Sequence, residues 1–207
     1  MNRDTLLEAA LRALSADPDA GLDAVASAAG LSRRTVYGHF RSRDALVEAL
    51  ADRAGEHVAG VVQQVRTATV PGEPALTTLA RLEVALWHAV ERYRLLGSLA
   101  TRPEHRARVR RHTGELNDYR VDLLTSARAD GDLAGPLPVA VAGRLVQTVP
   151  FAVFDAVLDG ALAPGAAARV AALTVLAVAG AAPDVAVRHV DAALAPSALP
   201  SSHRDLP

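Results

Sequence analysis

The chain has 207 residues, half of them apolar and 22 % charged, with a formal net charge of −1. That length suits one large domain, or a small domain joined to a mid-sized one, and that composition supports a packed core. The absence of Cys excludes disulfides, thiolate nucleophiles and Cys-based zinc sites.

The apolar period is helical from the first residues onward. Leu6, Leu7, Ala10, Leu11 and Leu14 form one stripe, and Asp17-Pro18-Asp19 ends it. The start has acids within its apolar stretch and lacks a signal-peptide layout. Leu22, Val25, Ala26 and Ala29 make a second, short stripe, with Gly21 at its N-cap and Asp23 in its first turn. Gly30 breaks this helix at a position suited to positive φ. Ser32 caps a third helix ending near Phe40, and Ser42 caps a fourth, running to about Arg66 with Asp44 in its first turn. Residues 67–74, TATVPGEP, read as a linker. A long helix is expected over 75–97, a short charged segment over 103–112, and a helix over 114–129. Residues 129–138 read as a loop. Two apolar helices follow near 139–159 and 164–180, Pro150 kinking the first, and a last helix near 184–194. The tail 196–207 has the composition of disorder. The longest apolar run, Val170–Ala182, falls short of the roughly 20 residues that span a bilayer. It reads as a buried helix, so no membrane association is expected. No strand and no internal repeat is evident.

Residues 30–44, GLSRRTVYGHFRSRD, concentrate positive charge in a chain that is otherwise slightly acidic. The chain contains no Lys, so Arg supplies every basic group and a single Arg carries little information. A solvated surface face is the plain alternative. The order of residues argues for more: a Gly turn, a Ser cap, an exposed Tyr, an inward Phe and a second Ser cap. Two short helices joined at Gly30 have the layout of a helix-turn-helix. Val36 and Phe40, four apart, point with Leu31 into a core. Arg33, Arg34, Tyr37, Gly38 and Arg41 lie on the other face, with no acid before Asp44. Arg can pair with guanine O6 and N7, and Thr, Tyr, His and Arg can hold phosphates.

The stretch VASAAGLSRRTVYGHFRSRDAL resembles the DNA-binding signature of the TetR/AcrR family of bacterial transcriptional repressors. The resemblance rests on Val25-Ala26, Ala29-Gly30-Leu31-Ser32, Thr35-Val36-Tyr37, His39-Phe40 and Arg43-Asp44-Ala45-Leu46. It implies that Arg33, Arg34 and Thr35 read bases, and that Tyr37, His39 and Arg43 hold phosphates. Gly38 departs from the family pattern, where a larger side chain is common. It permits close backbone approach to a duplex and removes one reader. The resemblance implies an all-α fold: a three-helix DNA-binding domain at residues 1–50 and a helical ligand-binding and dimerisation domain at 51–195.

The larger part carries no catalytic constellation: no G-x-S-x-G, phosphate loop, dinucleotide fingerprint or H-E-x-x-H. His88 and Glu91 share a helix face, but the repeats of a di-iron bundle are missing. His105 and His112, and the cluster Arg102, Arg106, Arg108, Arg110 and Arg111, read as solvated. No metal or cofactor is expected. Aromatics are only 3 % of the chain. Trp87, Tyr93, Tyr119, Phe151 and Phe154 are candidate walls of a cavity between helices, with Glu83, His88, Glu91, Asn117 and Gln147 as polar groups facing it. Plain core packing is the alternative for each. The expected protein is a cytoplasmic homodimer that binds a near-palindromic duplex DNA operator and is released from it by a small molecule. Two alternatives belong to other classes: an enzyme on the same helical fold, and a ligand-independent structural DNA-binding protein.

Overall fold

The structure is a computed structural model, and it describes residues 3–17, 19–91 and 106–195. Among the described residues every regular element is a helix. Four helices build the first part: α1 (Arg3–Ala16), α2 (Leu22–Ala29), α3 (Arg33–His39) and α4 (Arg43–Ala68). The described residues of the rest form α5 (Ala75–Val90), α6 (Arg106–Ala129), α7 (Val139–Val146), α8 (Val149–Leu158), α9 (Pro164–Ala179) and α10 (Pro183–Leu194).

Local chemistry sets the short N-terminal helices. The Asp17 carboxylate accepts the Asp19 N–H at 3.0 Å in the turn after α1. Gly30 takes φ 65° at the end of α2, and Leu31 N–H returns to the Ala26 carbonyl at 2.8 Å. The Ser32 hydroxyl accepts the Thr35 N–H and the Ser42 hydroxyl accepts the Ala45 N–H, both at 3.1 Å. Each satisfies an amide that the first helical turn leaves orphaned.

Two apolar cores result. The first gathers Leu6, Leu7, Leu14, Val25, Val36, Phe40, Leu46 and Leu50 from α1 to the start of α4. The second runs from Val58 to Ala193, with α5 at its centre touching α4, α6, α9 and α10. Helix α4 takes part in both cores, so it physically joins the two. At its first half Arg53 pairs with Glu8 at 2.9 Å and donates to the Asp4 carbonyl at 3.3 Å.

Several expectations change in the folded chain. The charged segment near 106–112 and the helix after it are one helix, α6, with Gly114 inside it. The apolar stretch 139–159 is two helices meeting at a turn, Gln147-Thr148. Pro150 has no N–H to give the Val146 carbonyl and its ring crowds that group, so the ladder stops one turn early. The Thr148 hydroxyl donates to the Leu145 carbonyl at 2.7 Å and closes α7. Val139–Leu158 has the length and hydropathy of a membrane span, but the break at this turn makes it a pair of short helices. The segment 69–74 is held rather than loose. Arg81, buried on α5, makes a bidentate pair with Glu73, both bonds 2.7 Å, and donates to the Thr69 hydroxyl at 3.0 Å. The end of the helix expected over 75–97, the segment 103–105 and the tail 196–207 lie outside the described residues, as do Arg102 and His105. So do the side chains of Arg106, Arg108, Arg110, Arg111 and His112.

Candidate nucleic-acid interface

Helix α3 has a buried inner face and an open outer one. Val36 and Phe40 are 0 % and 2 % exposed. The Arg3 guanidinium lies 5.7 Å from the Phe40 ring centroid, a cation–π contact that ties the start of α1 to the end of α3. Arg33, Arg34, Thr35, Tyr37, Gly38, His39 and Arg41 are exposed. Tyr37 is an aromatic ring 49 % open to water among cations. A Cβ added at Gly38 would meet nothing within 4 Å. The missing side chain therefore leaves a flat spot on an exposed surface rather than accommodating a packed neighbour.

The structure adds two facts that the residue order hides. The face is not free of acids: Asp23 of α2 pairs with Arg33 at 3.2 Å. Asp23 reads in sequence only as a first-turn charge, because a contact across the Gly30 turn has no local signature. Arg43 is half-buried, and its Nε donates to the Ala20 carbonyl at 3.3 Å. One edge of this guanidinium thus pins the start of α4 to the α1–α2 turn. The Thr35 hydroxyl lies 2.8 Å from that of Ser32, so its orientation is coupled to the cap. Together α3 presents two arginines, a phenol, an imidazole and its own positive N-terminal end, with exposed Arg41 just beyond it. These groups match the donors that phosphates and guanine edges accept.

The second set of expected residues takes up several different environments. Glu83 is buried on α5 and accepts two bonds from Arg120 of α6, at 2.7 and 2.6 Å. Trp87 and Phe154 are buried and stacked, centroids 4.5 Å apart at 27°. Tyr119 lies under the Arg66 guanidinium of α4 at 4.2 Å. Asn117 is half-buried, its amide nitrogen 3.4 Å from the Thr113 hydroxyl and its amide oxygen buried without a partner. Gln147 and Phe151 are half-buried at the α7–α8 turn and on α8. His88 and Glu91 are exposed, and Tyr93 lies outside the described residues. Sequence reasoning missed Arg120, because a lone Arg in an Arg-rich chain gives no sign of burial. It also missed His189 of α10, whose Nδ1 meets the Thr77 hydroxyl at 2.7 Å. Burial lowers the pKa of His189; the Asp132 carboxylate opposes that shift and Arg188 adds to it. Among the described residues no group of three or more His, Asp and Glu gathers to hold a metal ion.

Residues 6–50 match the family model of bacterial regulatory proteins, tetR family. Solved structures share the fold across nearly the whole chain. AmtR of Mycobacterium smegmatis superposes with a TM-score of 0.67 at 22 % identity, covering 94 % of this chain and 93 % of that one. SmeT, the repressor of the Stenotrophomonas maltophilia multidrug efflux pump SmeDEF, gives 0.65 at 21 % identity, covering 89 % and 93 %. The transcriptional regulator FadR of Bacillus subtilis, in complex with stearoyl-CoA, gives 0.65 at 14 % identity, covering 86 % and 98 %. No curated protein sequence matches the chain significantly.

Proposed function

We propose that this chain, whose residues 6–50 match the tetR family model and whose helical fold is shared by transcriptional regulators, is a sequence-specific transcriptional repressor that a small molecule releases from its operator. The observation that carries this reading is α3 itself. Its apolar face is locked into the small core, and its outer face offers Arg33, Arg34, Thr35, Tyr37 and His39 to a groove. Arg33, Arg34 and Thr35 read base edges. Tyr37 and His39 hold phosphates, and Gly38 lets the helix backbone come close. Arg43 supports the start of α4 and contributes its positive charge beside the duplex backbone. The DNA-binding unit is residues 1–50, and the body at 51–195 binds the effector and a second copy of the chain in the cytoplasm. The reading assigns the chain no enzymatic step.

The effector reading rests on relatives described as regulators with a bound lipid thioester or as a repressor of drug efflux. The buried Trp87–Phe154 stack, the half-buried Phe151 and Gln147 and the unpartnered Asn117 oxygen place apolar and polar groups on the middle helices. That mixture suits a largely apolar ligand oriented by a few polar contacts.

Fluorescence anisotropy on duplexes from the DNA upstream of the protein's own gene tests the assignment. Wild type binds one such duplex specifically. Arg34→Ala costs about 1–3 kcal/mol on that duplex and relaxes base preference. Equal binding by wild type and Arg34→Ala removes the recognition-helix assignment. An effector found by thermal-shift screening then lowers operator affinity by roughly 5–150-fold. A compound that binds the body tightly and leaves operator affinity unchanged removes the release mechanism.

A further inference from the structure

The Asp23–Arg33 pair joins two helices at the point where the proposed reading face begins. Arg33 is the first residue of α3 and Asp23 lies in the first turn of α2. The contact is Nη2 to Oδ2 at 3.2 Å, and the side chains are 76 % and 47 % exposed. In the free protein so open a pair contributes little to stability. Its weight changes when a duplex covers it, because expelling water lowers the local dielectric and strengthens the attraction.

Geometry gives the pair a directional role. Guanidinium carries five N–H donors in a fixed plane, and the Asp23 contact engages only one terminal nitrogen. The opposite edge stays available, and a guanine needs two coplanar donors aimed at O6 and N7. An untethered arginine reaches phosphates as readily as bases. Arg34 and Arg41 are exposed in that way, with no counter-ion among the described residues. Arg33 differs from them because leaving its present orientation breaks the contact with Asp23. That change leaves the Asp23 carboxylate unpaired at the edge of the proposed reading face, where a polyanion approaches.

We infer that Asp23 is a positioning residue for base selectivity: it steers Arg33 to one base pair of the site, so discrimination there depends on a residue outside the recognition helix. The inference rests on the DNA-binding reading above. Asp23 costs affinity on every sequence through its charge and returns contrast at one position.

Selection from randomised duplexes tests it, using the full-length chain as wild type, Asp23→Ala, Asp23→Asn and Arg33→Ala. The affinity for the preferred duplex and for each single-base variant is then measured at one salt concentration. Arg33→Ala identifies the base pair that Arg33 reads. Asp23→Ala is expected to lose at least about fivefold of the discrimination at that same pair, to keep the others, and to bind random duplex more tightly. Adding Asp23→Ala to Arg33→Ala changes the base profile no further, since the two act as one unit. Asp23→Asn, which keeps an acceptor of the same shape, retains part of the contrast. An unchanged base profile with uniformly tighter binding makes Asp23 a repulsive charge and overturns the inference. Loss of contrast at all positions together with a lower melting temperature makes it a structural residue, which also overturns it. A wild type with no preference among duplexes defeats the DNA-reading assignment itself, a result separable from both others.

Discussion

At the scale of single residues, burial decides what a charged group does. Glu83 and Arg120 are 2 % and 4 % exposed, and each satisfies the other through two short bonds. Removing one partner strands the other charge in an apolar interior. Glu83→Ala is therefore expected to cost about 3–5 kcal/mol in urea denaturation, whereas replacing both residues by apolar ones of similar size costs far less. Equal losses for the single and double variants would show that packing, not the stranded charge, dominates. His189 gives a pH dependence of definite sign. Burial favours its neutral form and lowers its folded pKa below the unfolded value near 6.5. Between those two values the unfolded chain holds the extra proton. Its contribution to stability is complete above about pH 6.5 and is lost as pH falls through 6.5 towards the lowered folded value. Melting temperatures recorded from neutral to mildly acidic pH should fall more steeply for wild type than for His189→Gln. Parallel curves would show that His189 titrates in the folded chain as it does unfolded.

At the scale of elements, close approach and clamping shape the body. Gly135 in the loop before α7 crosses Gly180 at the end of α9, where a Cβ on Gly135 would lie 2.8 Å from the Gly180 Cα. Gly180 has φ 101°, and its carbonyl accepts the Ala134 N–H at 3.2 Å. Backbone meets backbone there, so a side chain has nowhere to turn. Gly135→Ala is expected to destabilise by about 1–3 kcal/mol, while Gly38→Ala, with open space around it and a better helix former in place, leaves stability equal or slightly raised. Chemical denaturation of the two variants checks the contrast, and equal losses would mean that the crossing relaxes freely. The Arg81–Glu73–Thr69 clamp has a consequence at this scale too. Because it holds the α4–α5 connection, that connection is a poor place for a hinge. Helix α4 meets α6 directly instead, through Gln63 donating to Glu115 at 2.7 Å and through Arg66 over Tyr119.

At the scale of the whole molecule, the outer apolar face of the last helices calls for a partner. Val141, Leu145 and Leu158 of α7 and α8 are each more than two-fifths exposed. On α9 Ala166 and Ala177 are exposed, beside Val170 and Leu173, which are only partly buried against the core. In the dimer proposed above, a second copy of the chain would cover such a face with itself about a two-fold axis, and the two reading helices would then meet a near-palindromic operator one helical turn or a multiple apart. Light scattering at micromolar concentration is expected to return twice the 21.6 kDa chain mass. Charged substitutions at the exposed Leu145 and Leu158 should shift it to the monomer, and a wild-type particle of single-chain mass would remove the claim. Coupling to an effector then follows from geometry, because only a ligand that favours one separation of the two reading helices can alter DNA affinity.

Much of this was legible in the residue order. Helical period, the caps Ser32 and Ser42, the left-handed Gly30 and the inward pair Val36 and Phe40 all depend on neighbours within a turn or two, so the sequence alone determined the helix-turn-helix and its outer face. The all-helical class followed from the same short-range period. Contacts between distant segments carry no such mark. Asp23 beside Arg33, Arg43 against Ala20, and Arg120 paired with buried Glu83 were decided only when separate helices packed. The same holds for the surroundings of the expected pocket residues, among them a stacked core pair, a buried ion pair and two exposed side chains. A side chain's type limits which partners it can take, but burial and direction are set by which helix lies across from it, and that is a property of the packed chain.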